Sequence, residues 1–169
     1  MSVDMCVSIC GVEFKNPVIA ASGTFGFGIE YGTFFDVSLL GGISSKGLTP
    51  KRREGNPSPR IAETPAGMLN AVGLQNPGID EFVGEILPKM KKLGTVIIAN
   101  VAGSSVEDYA LMTEKLRNTE ADMVELNISC PNVKEGGVAF GVDPKMVERV
   151  TKAAKKNCAQ PLIVKLTPN

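Results

Sequence analysis

The chain has 169 residues, 43% of them hydrophobic and 21% charged, which suits one soluble globular domain over residues 1–169. Eighteen basic residues balance eighteen acidic ones, so no net field draws nucleic acid or an anionic membrane surface, and a small-molecule partner is expected. The sequence contains no histidine, which excludes every Ser/His or Cys/His nucleophile pair and leaves Cys, Lys, Asp, Glu or Tyr as the general base.

The N-terminal MSVDMCVSIC has no basic segment followed by a long apolar one, and no run approaches the roughly 18 apolar residues of a membrane helix. The chain therefore reads as cytoplasmic, with no membrane partner. Val7 to Phe14 alternates around Cys10 and Gly11, predicting a small hairpin that plugs one end of the core. Five short apolar runs follow: Val18 to Ala21, Ile43 to Ser45, Val96 to Ala99, Met123 to Leu126 and Leu162 to Val164. Their brevity and β-branched content predict strands buried on both faces.

Helical patterns cover Ile79 to Leu93, Val106 to Asn118 and Pro144 to Asn157. Ser104 with Glu107 fits a capping box, Asp143–Pro144 an N-cap with proline at the first helical position, and Gly94 a C-terminal breaker. Strand and helix alternate, as in a parallel α/β sheet. Two long loops interrupt the alternation, Gly47 to Gly78 and Ser129 to Val142, and loops of that length in compact domains usually carry function. The first holds NAVGLQNPG (Asn70 to Gly78), where glycines let backbone amides approach an anion or a planar ligand, although a surface turn fits equally well. It also holds Lys51, Arg52, Arg53 and Arg60, read as solvated loop surface in preference to an anion-steering patch.

A polar residue marks the end of each strand: Ser22, Lys46, Asn100, Asn127 and Lys165. In a barrel of parallel strands the carboxyl ends share one face, so these side chains would converge on one ligand. The fourth strand runs into LNISCPN (Leu126 to Asn132), where Pro131 restricts Cys130 to extended conformations and presents its thiol between amides. The remaining thiols, Cys6, Cys10 and Cys158, read as buried and inert. With no CxxC pair and no histidine, no protein-held metal site is expected.

Taken in order, ASGTFGFGIEY (Ala21 to Tyr31), SSKG (Ser44 to Gly47), NAVGLQNPG, IANVAG (Ile98 to Gly103), ELNISCPN (Glu125 to Asn132) and VKLTPN (Val164 to Asn169) resemble the catalytic subunit of the class 1B, NAD-linked dihydroorotate dehydrogenases. The resemblance implies a TIM (β/α)8 barrel holding FMN and the oxidation of dihydroorotate to orotate in pyrimidine biosynthesis. It implies Cys130 as the base that deprotonates C5 while hydride leaves C6 for flavin N5. A free thiol titrates near 8.5, so such a base needs only modest tuning.

The resemblance also implies flavin contacts from Ser22, Lys46, Gly47, Asn100, Asn127 and Lys165. Lys165 would sit at the N1/C2 side, where a cation stabilises reduced flavin. Substrate contacts would come from Lys46, Asn70, Asn127 and Asn132, with the backbone amides of Ala71, Val72, Gly73 and Leu74 receiving the carboxylate. Partners implied are a second catalytic subunit in a homodimer and an electron-transfer subunit carrying FAD and an iron–sulfur cluster linked to NAD.

A full barrel takes about 250 residues, so the sequence is expected to hold the first five β/α units and the N-terminal hairpin. The cofactor-phosphate loops would lie outside it. Two alternatives are a dihydropyrimidine dehydrogenase-type flavin domain and a chain that is catalytically silent without the rest of the barrel.

Overall fold

A computed structural model of the chain describes residues 3–129 and 138–166. Strands β1 (Val7–Ile9) and β2 (Val12–Phe14) pair antiparallel, with Ile9 opposite Val12. The turn between them places Cys10 at φ 52° and Gly11 at φ 80°, the left-handed pair that a two-residue hairpin turn needs. The main sheet begins with β3 (Ile19–Ala20) and β4 (Gly42–Ser44). Strands β5 (Ile61–Thr64) and β6 (Gly67–Asn70) form a separate projecting hairpin. The main sheet continues with β7 (Val96–Val101), β8 (Met123–Asn127) and β9 (Leu162–Lys165).

All its neighbours are parallel and its spatial order is β3-β4-β7-β8-β9, identical to chain order. Each strand is added on the same side, as in a singly wound barrel; a doubly wound sheet would step back across its first strand. The architecture is α/β, five β/α units of the TIM-barrel family preceded by a small β-hairpin.

The connecting helices are α1 (Ile79–Glu81), a widened π turn (Phe82–Ile86), α2 (Leu87–Lys91), α3 (Val106–Leu116), α4 (Val138–Gly141) and α5 (Pro144–Asn157). The π turn sits just ahead of Pro88, which has no N–H to complete the ordinary ladder there. Asp143 caps α5 by accepting from the Lys145 N–H, and Gly94 ends the α2 segment at φ 69°. The cap of α3 lies one residue later than the sequence pattern indicated. Ser105 accepts from the Asp108 N–H and the Asp108 carboxylate accepts from the Ser105 N–H. Asp serves at the third helical position as well as Glu does, because its shorter side chain also reaches back to the cap.

Successive strand residues leave on opposite faces. Ile97, Ala99 and Val101 of β7 and Val124 and Leu126 of β8 pack on Tyr109, Met112 and Leu116 of α3 and on Val150 and Ala154 of α5. On the other face, which would line the barrel interior, Phe14, Ile98 and Met123 form a second cluster, with Val7, Val12, Val96 and Ile163 against it. The N-terminal hairpin does plug one end of the core, and Phe14, 1% exposed, is its stopper.

Three expectations fail. The outer strands β3 and β9 are not buried on both faces, β3 being partly exposed and β9 half-buried throughout, since each has a strand neighbour on one side alone. Cys6 and Cys10 are exposed, because they lie on a two-stranded ribbon with one face in solvent; Cys158 is half-buried, and burial raises its thiol above the usual range. The 47–78 loop contains the β5/β6 hairpin, which sequence periodicity missed because all eight of its strand residues are exposed and no buried face imposes alternation. Among the described residues no helix is long and apolar enough to cross a membrane.

Truncating Phe14→Ala removes the stopper from a filled layer. The expected loss is about 3–5 kcal/mol of unfolding free energy, measured as a lower urea midpoint, with parallel-sheet signal retained in the folded baseline.

Candidate active site

The polar residues at the strand ends converge. Ser22, Lys46, Gly47, Asn127 and Lys165 all line one hollow of about 320 Å³. The end of β6 and the loop after it close its side with Asn70, Val72 and Leu74, and Gly23 and Ser129 complete the wall. Three of the polar residues fall within strands rather than just beyond them: Asn100 in β7, Asn127 at the end of β8 and Lys165 at the end of β9. By strand alternation, Ser44, Asn100, Glu125, Asn127 and Lys165 share the interior face with Ile98 and Met123: Ser44 is level with that pair, Asn100 and Glu125 stand one layer higher, and Asn127 and Lys165 one layer above those.

Asn100 lies beneath the hollow instead of in its wall, fully buried. Its Nδ2 donates to the Glu125 carboxylate, while its Oδ1 has no hydrogen-bond partner. That oxygen points at Gly47, where an added Cβ would stand 3.1 Å from it and 3.0 Å from Leu74 Cδ1. A buried carbonyl oxygen left without a donor is costly, so this acceptor is open to a donor from a ligand. Asn127 is held differently. Its backbone carbonyl accepts from the buried Tyr109 hydroxyl at 2.8 Å, and its Oδ1 accepts from Ser129 Oγ at 3.0 Å. Its Nδ2 lies on the Gly47 side of the site.

Sequence reasoning gave no role to Glu125, although it opens the ELNISCPN motif. Its Oε1 accepts from Ser44 Oγ at 3.0 Å and from Asn100, and stands 3.4 Å from Lys165 Nζ. Charge on an interior strand position was the available signal: in a run reading MVELN, a glutamate between Val124 and Leu126 has to face the opposite side of the sheet from them.

The loop that supplies Asn70 to Leu74 is latched by Asn76, also unassigned from sequence. Asn76 Oδ1 accepts from the Thr49 and Gly78 N–H groups at 3.1 and 2.9 Å, and its Nδ2 donates to the Leu74 carbonyl at 2.8 Å. Gly73 at φ 75° and Leu74 at φ 55° turn the chain toward the hollow. A Cβ on Gly73 would come within 2.8 Å of the Asn56 backbone nitrogen, so only glycine fits.

One expectation is corrected here: the Ala71 N–H already donates to the Arg60 carbonyl at 2.8 Å, because the loop pairs back on the 53–60 segment, so it is not presented to a ligand. Gly73 and Ala71 are not in the wall of the hollow. Cys130 and Asn132 lie outside the described residues. The basic stretch behaves as loop surface: Arg52 pairs with Glu54 at 2.6 Å and Glu81 at 3.7 Å, and Arg60 donates to Gln75.

The chemistry of this wall fits a planar, hydrogen-bonding ring system. It offers ammonium donors and amides of both polarities beside a glycine that lets a flat ligand approach the backbone, and beneath it lie an orphaned acceptor and a sealed apolar floor. The flavin of the resemblance meets those terms, since its pyrimidine edge alternates carbonyl acceptors with an N–H donor. Among the described residues no three metal-ligating side chains cluster.

A model of the dihydroorotate dehydrogenase family matches residues 4–169. The catalytic subunit of dihydroorotate dehydrogenase B (NAD(+)) from Alkaliphilus metalliredigens is 59% identical over 167 residues, covering 99% of this chain and 55% of that protein. Its counterpart from Petrotoga mobilis is 56% identical over 167 residues, covering 99% and 56%. This chain thus spans about half the length of the curated relatives it matches. A crystal structure of DHODH in complex with ferulenol from Eimeria tenella aligns with TM-score 0.77 at 20% identity, covering 98% of this chain and 53% of that one. At that identity the likeness speaks for the fold.

Removing the latch with Asn76→Ala leaves the Thr49 and Gly78 N–H groups without an acceptor. A loss of about 1–3 kcal/mol is expected, together with faster proteolytic cutting between residues 50 and 78, measured by denaturation and timed digestion.

Proposed function

The chain belongs to the dihydroorotate dehydrogenase family, and from that premise we propose that it serves the FMN-dependent oxidation of dihydroorotate to orotate in cytoplasmic pyrimidine biosynthesis. The observation that carries this reading is the convergence of Ser22, Lys46, Gly47, Asn70, Asn127 and Lys165 on one hollow above the unpartnered Asn100 Oδ1. FMN held there supplies the two-electron acceptor that an unactivated carbon acid requires.

The residues of this chain bind, orient and move the proton. Ser22, Gly47, Asn100, Asn127 and Lys165 would hold the flavin, and the unpartnered Asn100 Oδ1 would accept from an N–H of the bound ring. Lys46 and Lys165 place positive charge where the reduced ring carries negative charge. Asn70, Asn127 and Asn132 read the amide edges of dihydroorotate, and the Val72 to Leu74 backbone faces its carboxylate. Cys130, the thiol of the LNISCPN motif, takes the C5 proton as thiolate. Relatives named as catalytic subunits of dihydroorotate dehydrogenase B (NAD(+)) support a second, NAD-linked subunit as partner; the FAD and iron–sulfur cluster on that subunit, and a homodimer of catalytic subunits, are what the motif resemblance implies.

The test is anaerobic titration of the FMN-loaded protein. Dihydroorotate should bleach the flavin absorbance and release orotate, whereas bleaching by dihydrouracil instead would assign a dihydropyrimidine dehydrogenase-type activity. Cys130→Ala should keep FMN and slow bleaching by about 10²–10⁴-fold. An undiminished rate would remove Cys130 from the mechanism.

A further inference from the structure

Glu125 is the acidic residue that strand alternation puts on the interior face of the described sheet, and the proposed chemistry leaves it idle. Its side chain is 13% exposed, and one oxygen, Oε1, gathers three donors: Ser44 Oγ at 3.0 Å, Asn100 Nδ2, and Lys165 Nζ at 3.4 Å. Packing alone does not call for it. One layer below, Ile98 and Met123 fill the same face with hydrocarbon, and apolar replacement of a buried charge pair is often neutral or stabilising.

The cluster has a direction. With Nδ2 engaged on Glu125, the Asn100 amide can turn only its acceptor toward Gly47 and the hollow, and that acceptor is the orphaned one. Lys165, 35% exposed, sits at the rim of the same cluster and in the wall of the hollow. Glu125 therefore ties a neutral group beneath the hollow and a cation of its wall to a single buried anion.

We propose that Glu125 is the positioning residue of this site. It locks Asn100 as an acceptor toward the ligand and anchors the Lys165 ammonium while offsetting its charge, and so sets how strongly the site favours reduced over oxidised flavin. The inference rests on the flavin reading above. A carboxylate near the ring opposes the negative charge that reduction adds, and the local low dielectric magnifies that opposition.

Glu125→Gln isolates the charge, because an amide oxygen still accepts from Ser44 and Asn100. Oxidised and reduced FMN affinities and the midpoint potential are measured on the FMN-loaded protein. The expected result is a ratio of reduced to oxidised affinity about tenfold higher, a potential about 30 mV more positive for a two-electron couple. Ser44→Ala takes a donor from the carboxylate and leaves its charge less offset, so the ratio should fall about two- to threefold. A structural role alone would weaken both redox forms equally in both variants, and an unchanged potential overturns the proposal.

A ligand-free measurement guards against a variant that fails to fold. In the native protein one Asn100 side-chain amide proton should resonate downfield in a nitrogen–proton correlation spectrum, and it should move upfield in folded Glu125→Gln; an unmoved signal also overturns the proposal. If the native protein binds no FMN, the flavin reading falls and this inference with it. If FMN binds and is bleached by dihydroorotate while the potential stays fixed in the variants, only the role of Glu125 falls.

Discussion

Every strand of the main sheet serves two environments, because side chains leave a β-strand alternately on either face. In β7 and β8 the residues facing outward are uniformly apolar and meet α3 and α5, while the inward residues change character along the strand. Ile98 gives way to Asn100, and Met123 to Glu125 and Asn127. Because the strands are parallel and in register, with Asn100 beside Glu125 and Asn127 beside Lys165, each change occurs at the same height. The apolar floor and the polar layer above it are thus consequences of register, and the hollow stands where the polar layer meets solvent.

Parallel register alone would not give the layer a defined geometry. The long loop after β4 is tied to the sheet by Asn76, and the end of β8 is tied to the helical layer by the Tyr109 hydroxyl. Both attachments use a buried side chain to satisfy backbone groups that a loop or strand end would otherwise leave unpaired. The wall of the hollow is consequently built from elements far apart in sequence, from Ser22 to Lys165, and two of them are braced by these hydrogen bonds.

Much of this was legible from sequence wherever a periodic pattern or a stop residue forced the outcome. The hairpin around Cys10 and Gly11, the five strands, α5 over Pro144–Asn157, and the gathering of Ser22, Lys46, Asn127 and Lys165 all follow from residue type and spacing. What escaped depended on contacts distant in sequence. The place of Asn100 beneath the wall, its amide bonded to Glu125 beside it on the next strand, was not marked by its position at a strand end. Ala71 was expected to offer its N–H, which the return of the chain past Arg60 engages. The β5/β6 hairpin carries no buried face, so nothing in its composition marks it as sheet. Cys130 and Asn132 lie outside the described residues, and their roles rest on the motif and the family.

The vertical separation of the interior face also bears on how the protein tolerates change. Phe14, Ile98 and Met123 fill the floor at the end away from the hollow, sealed by a hairpin that makes no contribution to its wall. Sequence drift or engineering in that lower layer can therefore alter heat resistance while leaving ligand recognition untouched. The two properties occupy different storeys of the same strands and can be adjusted independently.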